Sequence, residues 1–204
     1  MRTKRELITE IAATLSFSAI QNNDKIGVIF FSDKVEKYIP PQKGRKHILY
    51  IIRELLTFTP QGKKTDISEA LEFMMKIQRR QCAAFVISDF IDRHDLTDKL
   101  KIAGHRYDLN AIEVYDIRMK ELPDIGIVEF RDAETGHIEY VDTSSKRVRN
   151  QHRSAWQERE HTLHLQFTKA GVRNVAIPTD GNYVKKLMQL FNSKTAGISS
   201  KGNV

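Results

Sequence analysis

The sequence has few of several features, and each shortage excludes a class of protein. It contains a single cysteine, Cys82, so no internal disulfide is possible. No apolar run approaches the roughly 20 residues that a membrane-spanning helix needs. The basic start at residues 1–6 is not followed by the apolar stretch of a secretory signal. These features predict a cytoplasmic protein with a reduced thiol and no membrane segment in this chain.

The remaining composition is that of an ordinary globular protein. Hydrophobic residues make up 40% of the chain and charged residues 29%, and 204 residues are enough to bury one sizeable core. We therefore expect a single domain over residues 1–194. Residues 195–204 are small and polar, and we expect them to form a flexible tail.

The net charge of +7 raises the possibility of nucleic-acid binding. The densest basic patch lies in one long polar segment and comprises Lys146, Arg147, Arg149, Arg153 and Arg159. It has neither zinc-finger spacing nor an aromatic RNA-binding signature, so a solvated helix face explains it better and we expect no nucleic-acid partner. Nucleic-acid binding stays open as an alternative that predicts steep salt dependence.

Buried strands alternate with amphipathic helices along the chain. Residues 81–90 contain an unbroken apolar run, which is typical of a strand covered on both faces. The pattern predicts strands over 25–32, 35–39, 107–115 and 174–177, and helices over 3–21, 46–57, 94–104 and 144–169. A further helix is predicted to begin at Asp66 with an apolar face that reaches Met75, and a last helix to follow Thr179 or Asp180. Residues 32–34 are short enough to join the first two strands as a hairpin, and residues 125–142 predict a second β-hairpin. This alternation predicts an α/β fold with a mainly parallel sheet flanked by helices.

Several residues predict where these elements begin and end. Pro40-Pro41 should stop the strand that precedes it, because proline has no N–H to donate. Asp66, with Glu69 three residues later, forms a capping-box pattern at the start of a helix. Thr179 or Asp180 is expected to cap the last helix.

Polar residues at one edge of the predicted sheet form the candidate site. Asp89 follows the apolar strand directly, and Thr65 lies at a helix start after a glycine loop. Ligands of open α/β sheets bind outside the carboxyl ends of strands, and hydroxyl and carboxylate oxygens suit Mg²⁺ or Ca²⁺. Ser88, Asp66 and Asp33 are possible neighbours. The competing interpretation is that Ser88 and Asp89 only turn the chain.

No catalytic residue is assigned. His94, His105, His161 and His164 are available to a metal-dependent hydrolase, but the helical pair His161 and His164 lacks the glutamate of a zinc-protease motif. Surface histidines are the simpler interpretation. A nucleophile elbow and a glycine-rich phosphate loop are absent from the sequence. A metal-dependent hydrolase remains the alternative from a different functional class.

Several spaced motifs resemble known families. Residues 63–71 and 85–90 resemble the second and third metal-site loops of von Willebrand factor A-type (vWA) domains. Residues 23–33, 41–45 and 178–183 are similar to the bacterial family called domain of unknown function fifty-eight. The resemblance extends over nearly the whole chain, with the motifs in the right order.

The resemblance implies a three-layer, Rossmann-like vWA fold. The threonine and aspartate of the family's metal-ion-dependent adhesion site match Thr65 and Asp89. The other ligands come from an Asp-x-Ser-x-Ser motif after the first strand, and this sequence has no such motif. The chain therefore resembles a member without its first central strand. A complete member would bind Mg²⁺, whereas we expect this incomplete site to hold no ion.

The resemblance also implies a role in protein interaction. Members of the family usually accompany MoxR-type AAA+ ATPases, and vWA domains typically bind proteins. The expected function is therefore a non-enzymatic adaptor whose partner is such an ATPase. The residues that contact the partner remain unassigned.

Overall fold

The computed structural model describes residues 2–62, 64–92, 94–131 and 137–198. In chain order its elements are α1 (Lys4–Gln21), β1 (Ile26–Phe31), β2 (Val35–Gln42), α2 (Arg45–Thr57), α3 (Ile67–Ile77), β3 (Ala83–Ser88), α4 (Thr97–Arg106), β4 (Asp108–Tyr115), α5 (Ile117–Lys120), β5 (Ile127–Arg131), β6 (Ile138–Asp142), α6 (Lys146–Ala170), β7 (Arg173–Pro178) and α7 (Tyr183–Ile198). The alternation of helices and strands predicted from the sequence is confirmed.

The strands form three sheets rather than the one that the sequence predicts. β3, β4 and β7 make a parallel sheet with β4 in the centre. β1 pairs with β2, and β5 pairs with β6, both antiparallel. Among the described strands, β1 is not hydrogen-bonded to β3, so the expected mainly parallel sheet is limited to three strands.

Helices cover both faces of the parallel sheet. On one face, α3, α4 and α6 pack on β3 and β4 through a cluster that includes Leu71, Leu100 and Phe167. On the other face, α1 and α7 pack on β4 and β7 through Leu7, Ile11, Ile112, Ile177 and Leu187. Alternate residues of β4 enter the two clusters, as the two-residue period of a strand requires. The core of the molecule is therefore a three-layer α/β arrangement.

The β1–β2 hairpin has a smaller core of its own. Its buried members are Phe30 from β1, Ile39 from β2 and Ile51 from α2. Helix α2 packs against α1, and α3 contacts both strands of the hairpin. The hairpin is thus attached to the parallel sheet through helices.

The end of β2 corrects one prediction. The strand continues through Pro40-Pro41 to Gln42, which pairs with Ile26. The register shifts between Ile26 and Val28, so the prolines lie beside an irregularity on a strand that has only one neighbour. Proline is tolerated at such places because no regular ladder bond is lost.

The caps agree with the sequence in part. Asp66 accepts a hydrogen bond from the Glu69 N–H (2.9 Å) and caps α3 as predicted. Asn182, rather than Thr179 or Asp180, caps α7 by accepting from the Lys185 N–H (3.0 Å). Thr179 is buried, and its N–H donates to the Tyr115 carbonyl (2.9 Å) as β7 ends.

Two predicted segments extend beyond the described residues. The hairpin over 125–142 is confirmed as β5 and β6, while its loop at 132–136 lies outside them. α7 continues to Ile198, because Thr195 and Ala196 extend the helix into the segment where we expected a tail. Residues 199–204 lie outside the described part of the chain.

Candidate functional site

The carboxyl ends of β1 and β3 meet at the start of α3. The Asp66 N–H donates to the carbonyl of Ser32, just after β1 (2.8 Å). The next N–H, of Ile67, donates to the carboxylate of Asp92 in the loop after β3 (2.9 Å). Because Asp66 and Ile67 are consecutive, both strand ends lie at one helix terminus. We call Ser32, Asp33, Thr65, Asp66 and Asp89 the rim.

The two predicted metal ligands occupy the expected elements. Thr65 is half-buried and directly precedes the cap of α3, and Asp89 is half-buried and directly follows β3. The Asp89 carboxylate accepts a hydrogen bond from the Lys4 ammonium (2.7 Å), which forms an ion pair with the first turn of α1. The Lys4 ammonium therefore already contacts one carboxylate oxygen of Asp89, the predicted metal ligand. The assignment of Thr65 and Asp89 to an incomplete metal site stays a prediction.

Ser88 and Asp33 have mainly local contacts. The Ser88 hydroxyl is buried and accepts from the Phe90 N–H (3.1 Å), where Phe90 has a positive φ of 50°. This hydrogen bond is the turn-forming role that the simpler interpretation gives to Ser88. Asp33 is exposed and accepts from the Ser32 hydroxyl (3.0 Å).

Glu36 organises the loop that leads to Thr65, and the sequence analysis missed it. Its carboxylate accepts from the Ser32 hydroxyl and from the N–H groups of Gly62 (2.9 Å) and Gln61 (2.8 Å). These hydrogen bonds, with that of Ser32 the strongest, lower the pKa of Glu36. A Cβ on Gly62 would lie 2.0 Å from an Asp33 carboxylate oxygen, so only glycine fits there. The loop is therefore fixed against β2.

A second group of metal-ligating side chains lies beside the rim. Ligand atoms of Asp66, Asp92 and His94 lie within 4.8 Å of one another. The Asp92 side chain is 1% exposed and pairs with the His94 ring across 2.8 Å. Two carboxylates and an imidazole suit a transition metal better than Mg²⁺. The available sequence signal was a run of two acids and a histidine, Asp89, Asp92 and His94, directly after a buried strand.

A groove of about 350 Å³ opens next to this group. The loop after β3 forms one wall with Asp92 and His94. Helix α6 forms the other wall, which includes Glu158, Arg159 and Thr162. The groove therefore joins the metal-ligating side chains to polar groups of a different element.

Arg159 is an internal anchor, which corrects its assignment to a solvated face. Its guanidinium donates to the Glu113 carboxylate on β4 (2.9 Å) and to the Asp89 carbonyl, and it lies 4.8 Å from the centre of the Trp156 ring. Glu113 is buried, and burial raises the pKa of its carboxyl while Arg159 opposes that rise. Arg159 thereby connects α6 to the ends of two strands.

The rest of the basic patch divides between two roles. Arg149 is half-buried, donates to the carbonyls of Thr143 and Ser144, and pairs with Asp124 (3.0 Å). Lys146, Arg147 and Arg153 are exposed, as expected for a solvated helix face. Only part of the patch is therefore available as a surface charge.

The other singled-out residues show no site among the described residues. His105, His161 and His164 are exposed and lie outside the one metal-ligating group found there. Cys82 is half-buried, and burial raises the pKa of its thiol, which disfavours the reactive thiolate. Within the described ranges, the helices are too short or too polar to cross a bilayer.

Curated relatives are similar to much of this chain. The uncharacterized protein Rv1480 of Mycobacterium tuberculosis is 31% identical over 137 residues, which cover 66% of this chain and 43% of that protein. The chain thus spans less than half the length of that relative. The uncharacterized protein MAV169 of Mycobacterium avium is 27% identical over 161 residues, covering 78% of this chain and 95% of that protein.

Solved structures share the fold. The conserved hypothetical protein BatB from Bacteroides thetaiotaomicron superposes with a TM-score of 0.54, covering 92% of this chain and 88% of that one. An aerotolerance-related membrane protein from Bacteroides fragilis superposes with a TM-score of 0.55, covering 91% and 88%. Both are 16% identical to this chain, so the likeness concerns the fold alone.

The family model for the protein of unknown function DUF58 matches residues 1–162. That range runs from α1 through the rim, β3 and β4 into α6, so it includes Arg159. It covers well over half of the 204 residues, so the chain belongs to the DUF58 family.

Proposed function

We propose that the chain is a vWA-like protein-interaction domain that docks a partner protein through its rim. The observation that carries the proposal is the convergence of two strand ends and the start of α3, which brings polar side chains from three separate segments to one edge. Such edges are where open α/β sheets bind their ligands. The partner that we propose, from the family resemblance, is a MoxR-type AAA+ ATPase.

The vWA assignment is supported by the position of the predicted ligands. Thr65 and Asp89 lie at a helix start and a strand end on a parallel sheet that has helices on both faces. In this assignment the Asp-x-Ser-x-Ser ligands are not found among the 204 residues. We propose that the cation site is incomplete for that reason and that this chain holds no Mg²⁺.

A non-enzymatic role is supported by the state of Asp89. Its carboxylate is paired with Lys4, and its carbonyl is held by Arg159, so both polar ends of the residue have structural contacts. A carboxylate held in this way is suited to shaping a charged surface. Partner recognition then depends on the exposed acids of the rim, such as Asp33.

Direct binding to a purified MoxR-type ATPase tests the proposal. We expect the full chain to bind in calorimetry and Asp33→Ala to weaken the binding, because rim charges favour association. The matched control is Asp24→Ala, which removes an exposed acid just before β1, at the opposite end of that strand from the rim. Equal weakening by both changes, or no binding by the unmodified chain, would contradict docking through the rim.

The missing ion is tested separately. We expect titration of the chain with MgCl₂ to give no binding heat, because Thr65 and Asp89 supply only two of about six ligands that Mg²⁺ needs. The change Asp89→Ala serves as the reference for non-specific heat. A specific Mg²⁺ signal that Asp89→Ala abolishes would show that the incomplete-site assignment is wrong.

A metal-dependent hydrolase is the second candidate, and the group of Asp66, Asp92 and His94 favours it. Such donors can hold a metal that activates water. The test is hydrolysis of a model phosphoester with Mn²⁺ or Zn²⁺ present. Asp92→Asn keeps an oxygen that can accept from the Ile67 N–H, so folding is preserved while a charged ligand is removed. Activity that this change abolishes would favour the enzyme over the adaptor.

A further inference from the structure

We infer that the β5–β6 hairpin docks on the first half of α6 in a second copy of this chain, so that two copies form a symmetric dimer. Each copy contributes its hairpin to the other, and the contact is made twice. The inference goes beyond the proposed function, because it concerns none of the rim residues and needs neither a cation nor an ATPase.

The β5–β6 hairpin lies outside the hydrophobic cores of the molecule. Among the described residues of β5 and β6, none belongs to the three clusters that hold the other elements together. A two-stranded hairpin without a packed face is only marginally stable in water. This hairpin is therefore the element that gains most from being covered.

The most exposed large hydrophobic side chains of the described residues lie on this hairpin. Ile127 is 74% exposed, Tyr140 is 70% exposed, and Ile125, just before β5, is 66% exposed. Soluble monomers rarely leave large apolar side chains grouped at the surface, and such groups mark interaction sites. The hairpin is accordingly a candidate interface.

The strand register places the exposed side chains on one face. Ile127 pairs with Asp142 and Glu129 pairs with Tyr140, and alternate residues of a strand share a face. Val128 and Val141, which pair on the opposite face, are half-buried. The face that points to solvent, which we call the outer face, comprises Ile127, Glu129, Ile138, Tyr140 and Asp142.

The hairpin region is acidic, although the chain as a whole is basic. Residues 121–142 contain seven acids and one base, whereas the whole chain has a net charge of +7. Glu129 and Asp142 are exposed on the outer face beside the apolar side chains. Like charges would oppose pairing with another hairpin, and the acids would oppose binding to an anionic membrane. The charge favours a basic surface as the occupant.

The first half of α6 supplies such a surface. Residues 146–157 contain four bases and no acid. Lys146, Asn150 and Arg153 are exposed, and their spacing places them on one stripe of the helix. A five-residue strand extends over roughly 17 Å, and twelve helical residues extend over roughly 18 Å. The hairpin is therefore long enough to lie along this stripe of another copy.

The two surfaces are adjacent in each copy, which suits a two-fold axis. β6 ends at Asp142 and α6 begins at Lys146. A rotation of half a turn about an axis between them brings each acidic surface onto the basic surface of the other copy. Residues 121–157 together contain seven acids and five bases, so this face is close to neutral and adds little repulsion between two basic chains.

The base of the hairpin is fixed before any docking. The buried Thr143 hydroxyl donates to the Gly126 carbonyl (2.7 Å) and accepts from the Ile125 N–H (3.2 Å). Arg149 of α6 pairs with Asp124 (3.0 Å), just before β5. These contacts hold the hairpin beside α6, so docking has less conformational entropy to remove.

Charge reversal on the two surfaces tests the inference. The association of the full chain is measured by sedimentation equilibrium, alone and with Glu129→Lys on the outer face or Arg153→Glu on α6. The matched control is Glu139→Lys, which makes the same charge change on the opposite face of the same hairpin. All three side chains are exposed, so the fold should be kept, and thermal unfolding verifies it.

We expect the unmodified chain to dimerise and to dissociate more readily in about 1 M salt, which screens the charges. Glu129→Lys and Arg153→Glu should each weaken the dimer at least about tenfold, because each places like charges opposite one another. An equimolar mixture of these two variants should recover the dimer, since every reversed charge then faces an opposite one in the other copy. Glu139→Lys should leave association unchanged.

Four results would overturn the inference. They are an unmodified chain that is monomeric at every concentration, equal weakening by Glu139→Lys, no recovery in the mixture, and a monomer that binds phosphatidylcholine vesicles through Ile127. The last result, shown by loss of vesicle binding in Ile127→Ser, would assign the outer face to a membrane. The ATPase takes no part in these measurements, so their failure leaves the proposed function standing.

Discussion

The parallel sheet and the β1–β2 hairpin are built from similarly apolar segments but are buried to different extents. Residues 109–114 of β4 are all buried. In β1, only Phe30 is buried, although its sequence is at least as hydrophobic. β4 has a strand on each edge and helices on both faces, whereas among the described strands β1 pairs on one edge only.

The difference shows that burial depends on neighbours as much as on hydrophobicity. Ile112 reaches 0% exposure because β3 and β7 flank it and α1 and α7 cover it. The rim lies where the two regions meet, so its geometry depends on the less buried of them. Matched substitutions, one in the parallel sheet and one in the hairpin, should therefore test both this comparison and the candidate site.

The largest expected effect comes from truncating matched isoleucines in the two cores. Ile112 in β4 is 0% exposed and Ile39 in β2 is 3% exposed. We expect Ile112→Ala to lower the free energy of unfolding by about 3–5 kcal/mol and Ile39→Ala by about 2 kcal/mol, because the small hairpin core can collapse around the cavity. Urea unfolding of both variants measures the difference. Equal losses would mean that the hairpin core is packed as tightly as the sheet.

Much of this comparison was open to prediction from the sequence. The helices and strands follow from hydrophobic periodicity, and the rim follows from the rule that parallel strands end at one edge. The hairpin of β1 with β2 was predicted from the short connection at residues 32–34 and is confirmed. The lack of pairing between β1 and β3 among the described strands could not be predicted, because an apolar run is compatible with neighbours on either edge. Pairing partners are set by contacts that are distant in sequence.

Arg159 shows a signal that was available but not used. It lies three residues after Trp156 and four before Leu163, so it shares the face of the buried anchors of α6. In a polar helix this position is indistinguishable by charge from Arg153, which is exposed. Arg153 also lies three residues from Trp156, so only the position of Arg159 between two buried anchors, Trp156 and Leu163, distinguishes it. The contact with Glu113 itself, 46 residues away, has no local signature.

A smaller effect is expected from removing one cation in each region. Arg159 pairs with Glu113 in the parallel sheet, and Lys37 pairs with Glu54 between β2 and α2. Arg159→Ala leaves a buried carboxylate without its partner, and we expect a loss of about 1–3 kcal/mol in the free energy of unfolding. Lys37→Ala should cost less, because water can reach the carboxylate that it leaves. Thermal unfolding of the two variants ranks them, and the reverse order would contradict the comparison.

The smallest expected effect is a difference in pH dependence between the same two carboxyls. Burial raises the pKa of Glu113 above its ordinary value of 4.5, so the folded state binds more protons than the unfolded state just above that pH. The contribution of Glu113 to stability is therefore present at acid pH and is lost as the pH rises through its folded pKa. The hydrogen bond from Lys37 lowers the pKa of Glu54, so its contribution is present above 4.5 and is lost on acidification.

Glu113→Gln and Glu54→Gln should therefore change the pH profile of stability in opposite senses. With Glu113→Gln, we expect a smaller loss of unfolding free energy than in the unmodified chain as the pH rises above the ordinary carboxyl value of 4.5. With Glu54→Gln, we expect a deficit at neutral pH that narrows as the pH falls below about 4.5. Urea unfolding at several pH values gives both profiles. If both substitutions changed the pH profile of stability in the same sense, the two carboxyls would have similar environments. The sheet and the hairpin would then not differ in their electrostatics.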